Sequence, residues 1–271
     1  MDRIAGKPLD LTILVKGAGE IASGIAYKLA QSHFKICLTD LSKPMAVRRE
    51  VSFCEAVYEG EKTVEGITAR LIASFGEIEG CWRENKLPLL VDPRAEVRSR
   101  LKPDVVVDAI IAKKNVGTSI TDAPLVIGVG PGFAAGVDVH VVVETNRGHN
   151  LGRIIRRGEA EKNTGIPGEI MGLTEERVIR SPSDGVFKTG KKIGDRAGKG
   201  EEIARVNGLP VIVNTEGILR GLLRDGTNVW KGMKVGDIDP RGVPEYCLLI
   251  SDKSRTIAGG VLEAVLERFN S

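Results

Sequence analysis

The sequence predicts an α/β protein. A Rossmann-like, mostly parallel sheet domain spans residues 1–150, a connector 151–177, a small all-β unit 178–246, and a strand and helix over 247–271 pack back on the rest. Three observations carry this expectation. A glycine turn, Gly17-x-Gly19-x-x-Ala22, stands between a short apolar run and a helical stretch. Apolar runs of strand length then recur to about residue 130, each punctuated by Gly, Pro or an acid. From about residue 176 the chain turns to short β segments without helical period, and these contain an internal repeat.

The first strand is read at 11–16 (LTILVK), and the helix after it places Ile21, Ile25 and Leu29 on one stripe. KICLTD (35–40) is the second strand, and a helix is expected from Pro44 to Tyr58, with proline in the first turn, where its missing N–H costs nothing. Further buried strands are expected at 67–74, 88–92, 104–109 and 124–130. Strand 138–145 alternates, so Asp138, His140, Val142 and Glu144 share one face. In the all-β unit, 184–204 repeats as 216–236, an offset of 32 residues that aligns Gly185 with Gly217 and Gly200 with Gly232. Residues 256–268 close the chain with an amphipathic helix.

Composition narrows the function classes. At 271 residues, 42% hydrophobic and 28% charged, the chain has the makeup of a globular protein with two cores. Aromatics at 4% leave few stacking platforms for nucleic acid, and a net charge of +3 with interspersed acids is no phosphate-tracking groove. Cys37, Cys54, Cys81 and Cys247 lack metal or disulfide spacing, and the three histidines are dispersed, so no metal site is expected. With neither a signal-peptide pattern nor a membrane-length apolar run, a cytoplasmic location is expected.

The glycine turn is the strongest chemical signal. Its first glycine permits the tight bend, its second lets main chain approach a diphosphate, and the small Ala22 lets helix and strand pack closely. Gly17, Ala18, Gly19, Glu20, Ile21 and Ala22 are therefore expected at a cofactor. Asp40, 21 residues beyond Gly19, is placed for a ribose. A carboxylate there favours NAD over NADP, although Arg48 and Arg49 are near enough in sequence to meet a 2′-phosphate. They fit a solvent face equally well. Asp92 and Arg94 form either an anion clamp at a strand end or a turn held by its own ion pair. Asp108 and Lys113 are candidates for proton transfer, with a solvated basic loop as the ordinary alternative. His140 is a further candidate, although single histidines on strands are more often structural. Gly128 to Gly132 form either an anion nest or a simple turn.

Two resemblances add to this. The repeated β unit resembles the barrel-sandwich hybrid of lipoyl and biotinyl carriers, but the connection between its halves (206–217) has no lysine, so covalent biotin or lipoate is not expected. The blocks KGAGEIASG, DAIIAKKNVGT, DAPLVIGVGPGFAAGVDVH, ETNRGHNLGRII, NTGIPGEI and SDKSRTIAGGVLEAV together resemble the YqeB family. That resemblance implies an accessory role in maturing selenium-dependent molybdenum hydroxylases, which are related to xanthine dehydrogenase. The glycine turn is also similar to that of XdhC-type chaperones of the molybdenum cofactor. The implied partners are a molybdenum hydroxylase or its cofactor-insertion proteins. NAD or NADP is the expected ligand, with molybdopterin dinucleotide as the alternative. The competing readings are a free-standing NAD(P)-dependent oxidoreductase acting on a small anion and a nucleotide-free scaffold. Whether a reaction is catalysed and whether the chain forms a homo-oligomer are left open.

Overall fold

The computed structural model describes residues 9–270. The first half runs β1 (Thr12–Lys16), α1 (Glu20–Gln31), β2 (Lys35–Asp40), α2 (Ala56–Glu59), β3 (Glu61–Val64), β4 (Ile67–Leu71), α3 (Ile78–Arg83), β5 (Leu87–Val91), α4 (Arg98–Leu101), β6 (Val105–Asp108), β7 (Leu125–Val129), β8 (Ala134–Ala135), β9 (Val141–Val143) and β10 (Ile154–Ile155). Nine of these strands form one sheet in the order β10-β9-β7-β6-β1-β2-β5-β4-β3. The interior pairs are parallel, whereas β3 with β4 and β9 with β10 are antiparallel.

Alternation along β1 divides two cores. Ile13 and Val15 face one layer with Ile25 and Leu29 of α1, while Leu14 faces the other with Cys37, Val106, Val126 and Phe133. Because both faces are covered, the strands read as continuous apolar runs.

The second half begins with β11 (Gly158–Glu159), which pairs with β8. It continues through β12 (Val178–Arg180), β13 (Gly185–Lys188), β14 (Arg196–Ala197), β15 (Glu202–Val206), β16 (Leu209–Ile212), β17 (Gly217–Leu222), β18 (Asn228–Val229), β19 (Lys234–Asp239) and α5 (Asp252–Phe269). Two four-stranded antiparallel sheets result, β12-β19-β17-β14 and β16-β15-β13-β18. The repeat is visible in the element starts: β13 and β17, β14 and β18, and β15 and β19 are each 32 residues apart. Its two halves interlock, since β13 pairs with β18 and β14 with β17.

The expected fold class is corrected in both halves. The first is a large mixed sheet with antiparallel margins, and α1 is its one crossover helix of ordinary length among the described residues. α2 and α4 have four residues and α3 has six. A doubly wound Rossmann domain carries helical crossovers on both faces. Here the partner of α1 is α5, which reaches it only after the chain has passed through the antiparallel unit. Gly24 is where they meet: a Cβ there would lie 2.8 Å from the Ser254 Cβ.

The second half is a separate antiparallel half-barrel, not a lipoyl-like carrier domain. β12 and β16 extend its sheets, and it is fastened to the large sheet. Leu222 N–H donates to Val47 O at 2.8 Å, Arg49 Nε to Leu222 O at 2.8 Å, and Arg224 Nε to Glu55 at 2.8 Å. A carrier must swing, and these bonds hold the unit in place.

Two local expectations also change. Residues 44–58 form two 3-10 turns, Arg49–Val51 and Phe53–Glu55, and then α2. Ser52 is extended at φ −124° and its hydroxyl donates to Arg48 O at 2.9 Å, which ends the first turn. The alternating strand 138–145 shortens to Val141–Val143, and Glu144, expected on a polar face, is buried.

Candidate functional site

A cleft of about 560 Å³ lies beyond the carboxyl ends of β1, β2, β5 and β6. β1 is central, with β2 on one side and β6 on the other, so the chain leaves it in both directions and opens a crevice there. Six residues expected at a cofactor line the cleft: Gly17, Gly19, Glu20, Ile21, Asp40 and Asp92.

The turn is built from main chain. Gly17 sits at φ +92°, and its N–H donates to Thr39 O at 2.8 Å, tying the end of β1 to β2. A Cβ at Gly17 would press within 3.1 Å of Ala109 O, so both conformation and space require glycine. Gly19 caps α1 without a side-chain hydrogen bond, and a Cβ there would meet nothing within 4 Å. The first-turn amides of α1 therefore open on the cleft, together with the positive end of the helix dipole. Ala18 and Ala22 are buried beneath the turn.

Asp40 has a different first duty from the one expected. Oδ2 accepts Ala18 N–H and Oδ1 accepts Leu41 N–H, each at 2.7 Å, so the carboxylate braces the glycine turn. Burial pushes its pKa above the ordinary aspartate value, and these two amides pull the other way. Each oxygen keeps capacity for a second bond, which a sugar hydroxyl can donate. Asp92 similarly accepts Val97 N–H at 2.8 Å.

The other expected residues are elsewhere. Arg94 is exposed and outside the lining, so no clamp with Asp92 forms. Asp108 is buried at the end of β6 against Lys16, 3.1 Å from its Nζ, with Thr118 bonded to both. Lys113 is exposed on the loop after β6, apart from Asp108. His140 is on the amino-terminal side of β7, where its Nδ1 accepts Val126 N–H at 3.0 Å, and burial lowers its pKa. It is a structural histidine, away from the cleft. Gly128 and Gly132 are packing glycines: a Cβ at Gly128 would come within 2.6 Å of Phe133, and one at Gly132 within 2.5 Å of Lys114 N.

Arg48 and Arg49 are both committed. Arg48 is buried, bonded to Glu20 at 3.0 Å and to the carbonyls of Tyr246 and Leu249. Arg49 holds Leu222 O. Neither is free to meet a 2′-phosphate.

Sequence reasoning missed several parts of the site. Met45, Cys54, Ile110, Ile111 and Val116 supply a largely apolar wall. Burial raises the Cys54 thiol well above its ordinary pKa, so it lines the wall as a neutral group. Ile111 is at φ +60°, an uncommon conformation for a β-branched residue. Lys16 carried the one readable clue, a charge ending an otherwise apolar strand directly before Gly17.

No family model matches the chain. Among solved structures, an aspartoacylase family protein from Mesorhizobium loti matches at 11% identity over 84% of each chain, with a TM-score of 0.26. The apo ectoine utilization protein EutE (DoeB) from Ruegeria pomeroyi matches at 10% identity over 84% of this chain and 86% of that one, with a TM-score of 0.25. A succinylglutamate desuccinylase/aspartoacylase from Rhodobacter sphaeroides matches at 14% identity over 84% and 85%, with a TM-score of 0.25. TM-scores this low decide nothing about ligand or chemistry. Among the described residues no helix is long and apolar enough to cross a membrane. In sequence the chain is 47% identical over 254 residues, 94% of its length, to the uncharacterized protein YqeB of Escherichia coli (strain K12). It spans about half of that relative, 47% of its length. This identity supports membership of the YqeB family, the group its sequence blocks resemble.

Proposed function

We propose that the cleft binds a nucleotide through its diphosphate, and that the protein acts as an accessory in maturing a selenium-dependent molybdenum hydroxylase. The observation that carries the binding reading is the uncapped start of α1 at Gly19, open toward a cleft that Asp40 and an apolar wall complete. The first-turn amides would receive the diphosphate, Asp40 a sugar hydroxyl, and the wall around Met45, Ile110 and Val116 a flat base. NAD fits better than NADP, because Arg48 and Arg49 are engaged and Asp40 would repel a 2′-phosphate. Molybdopterin dinucleotide presents the same diphosphate and is the alternative ligand. The accessory role and a molybdenum hydroxylase partner rest on the resemblance to the YqeB family. The oxidoreductase reading has less support, since neither His140 nor Lys113 lines the cleft.

Native mass spectrometry of the purified protein tests the binding reading, alongside titration calorimetry with NAD, NADP and molybdopterin dinucleotide. Binding in the micromolar range that Gly19→Trp abolishes is expected. Unchanged binding in that variant, or no binding of any dinucleotide, would sink it. Recovery of a molybdenum hydroxylase or its cofactor-insertion proteins by the tagged protein tests the partner, and repeated failure counts against the accessory role.

A further inference from the structure

The cleft is lined by three acids, Glu20, Asp40 and Asp92, and by no lysine or arginine among the described residues. Two of these acids are engaged by the protein itself. Glu20 pairs with Arg48 at 3.0 Å, and each oxygen of Asp40 takes a main-chain N–H at 2.7 Å. Asp92 is half-buried and has no ion-pair partner among the described residues. Its Oδ2 accepts Val97 N–H at 2.8 Å, within the turn that follows β5, and its Oδ1 takes no hydrogen bond from any described residue.

The sheet order decides what Asp92 can meet. β1, β2 and β5 are neighbours in that order, and Asp92 N–H donates to Asp40 O at 3.1 Å, so the two acids end adjacent strands side by side. Adjacent strands are about 4.8 Å apart. A ligand with its diphosphate at the start of α1, beyond β1, and its sugar at Asp40, beyond β2, therefore carries its base onward to the end of β5. Leu41 and Pro93, each next in sequence to one of these acids, line the cleft and are exposed, which offers an apolar platform to the face of a ring. An ionised carboxylate only accepts hydrogen bonds, so the edge of that ring must donate.

We infer that Asp92 selects the base: its free oxygen accepts the exocyclic amino group of adenine and disfavours a base with a carbonyl oxygen at that position. This rests on the nucleotide reading of the cleft and adds the residue that decides which nucleotide enters. Hypoxanthine carries an oxygen where adenine carries the amino group, so two acceptors would face each other. Asp92→Asn inverts the pattern. Val97 N–H still needs an acceptor, so the amide oxygen stays in the turn and the amide NH2 is directed to the cleft, where it opposes an amino group and suits a carbonyl.

Calorimetric titration of the full chain, wild type and Asp92→Asn, with NAD and with nicotinamide hypoxanthine dinucleotide tests this. The two ligands share charge, sugars and nicotinamide, so their affinity ratio isolates the base. The ratio is read within each protein, and a change of stability in the variant does not enter it. Wild type is expected to bind NAD about tenfold more tightly or better, since a site built around one hydrogen-bonding group rejects the analogue lacking it. In Asp92→Asn the ratio should fall to one or below. Equal affinities in the wild type, or a ratio unchanged in Asp92→Asn, overturn the inference and leave the nucleotide reading standing. Binding of neither dinucleotide to the wild type overturns both.

Discussion

The Nζ of Lys16 lies 3.1 Å from Oδ2 of Asp108, with the two side chains 4% and 1% exposed, directly below the glycine turn. Thr118 donates its hydroxyl to Asp108 and accepts from Lys16, closing a buried triad that fastens the loop over 109–118 across the ends of β1 and β6. Breaking such a pair from one side leaves an uncompensated charge, whereas removing both partners does not. Lys16→Met is expected to cost about 3–5 kcal/mol by urea denaturation. The double variant Lys16→Met/Asp108→Leu should be less destabilised than Lys16→Met alone. A loss below about 1 kcal/mol in the single variant would show that Asp108 finds relief elsewhere.

The contact of α1 with α5 predicts opposite signs for two glycine-to-alanine changes. Gly24→Ala places a methyl 2.8 Å from Ser254 Cβ, so a packed helix pair must part and stability should fall by about 1–3 kcal/mol. Gly259→Ala, inside α5 with nothing within 4 Å, should gain up to about 1 kcal/mol from helix propensity. Melting temperatures of the two variants check the pair, and a fall in both would contradict the open space at Gly259.

Fastening of the half-barrel depends on Glu55, whose side chain is 1% exposed and whose Oε1 has no partner among the described residues. Arg224 supplies its principal bond, and Arg49 is 3.9 Å away. Burial raises the Glu55 pKa, and Arg224 opposes that rise. Arg224→Met should therefore destabilise the protein by about 2 kcal/mol, a value reduced because Arg224 is itself part-exposed. Limited proteolysis should then cut faster between the sheet and the half-barrel. Glu55→Gln in the same background should recover part of the loss.

His140 sets an acid limit on stability. Only the neutral ring can accept Val126 N–H at Nδ1, and burial lowers the folded pKa below the ordinary value of about 6.5. The folded state thus binds fewer protons than the unfolded one in this range. The stabilisation is fully present above pH ~6.5 and is lost as pH falls from there through the folded value. His140→Gln should flatten the fall of the urea midpoint as pH drops below about 6.5. If nucleotide affinity falls with it, the histidine has a role at the cleft that its position does not suggest.

The sequence by itself determined what is local: the strand–turn–helix at Gly17, the strands expected at 35–40 and 124–130, and the 32-residue repeat that reappears in the starts of β13 to β19. These follow from periodicity and glycine conformation, which act over a few residues. Tertiary structure alone decided the rest. It put α5 beside α1 where a crossover helix was expected, set antiparallel strands at both margins of the sheet, and docked the half-barrel through Arg49 and Arg224. It also paired Asp108 with Lys16 and put His140 beside the amino-terminal end of β7, away from the cleft. Ion pairing and helix docking join residues tens to hundreds of positions apart. Their outcome depends on which charges share a buried space, and local pattern carries no record of that.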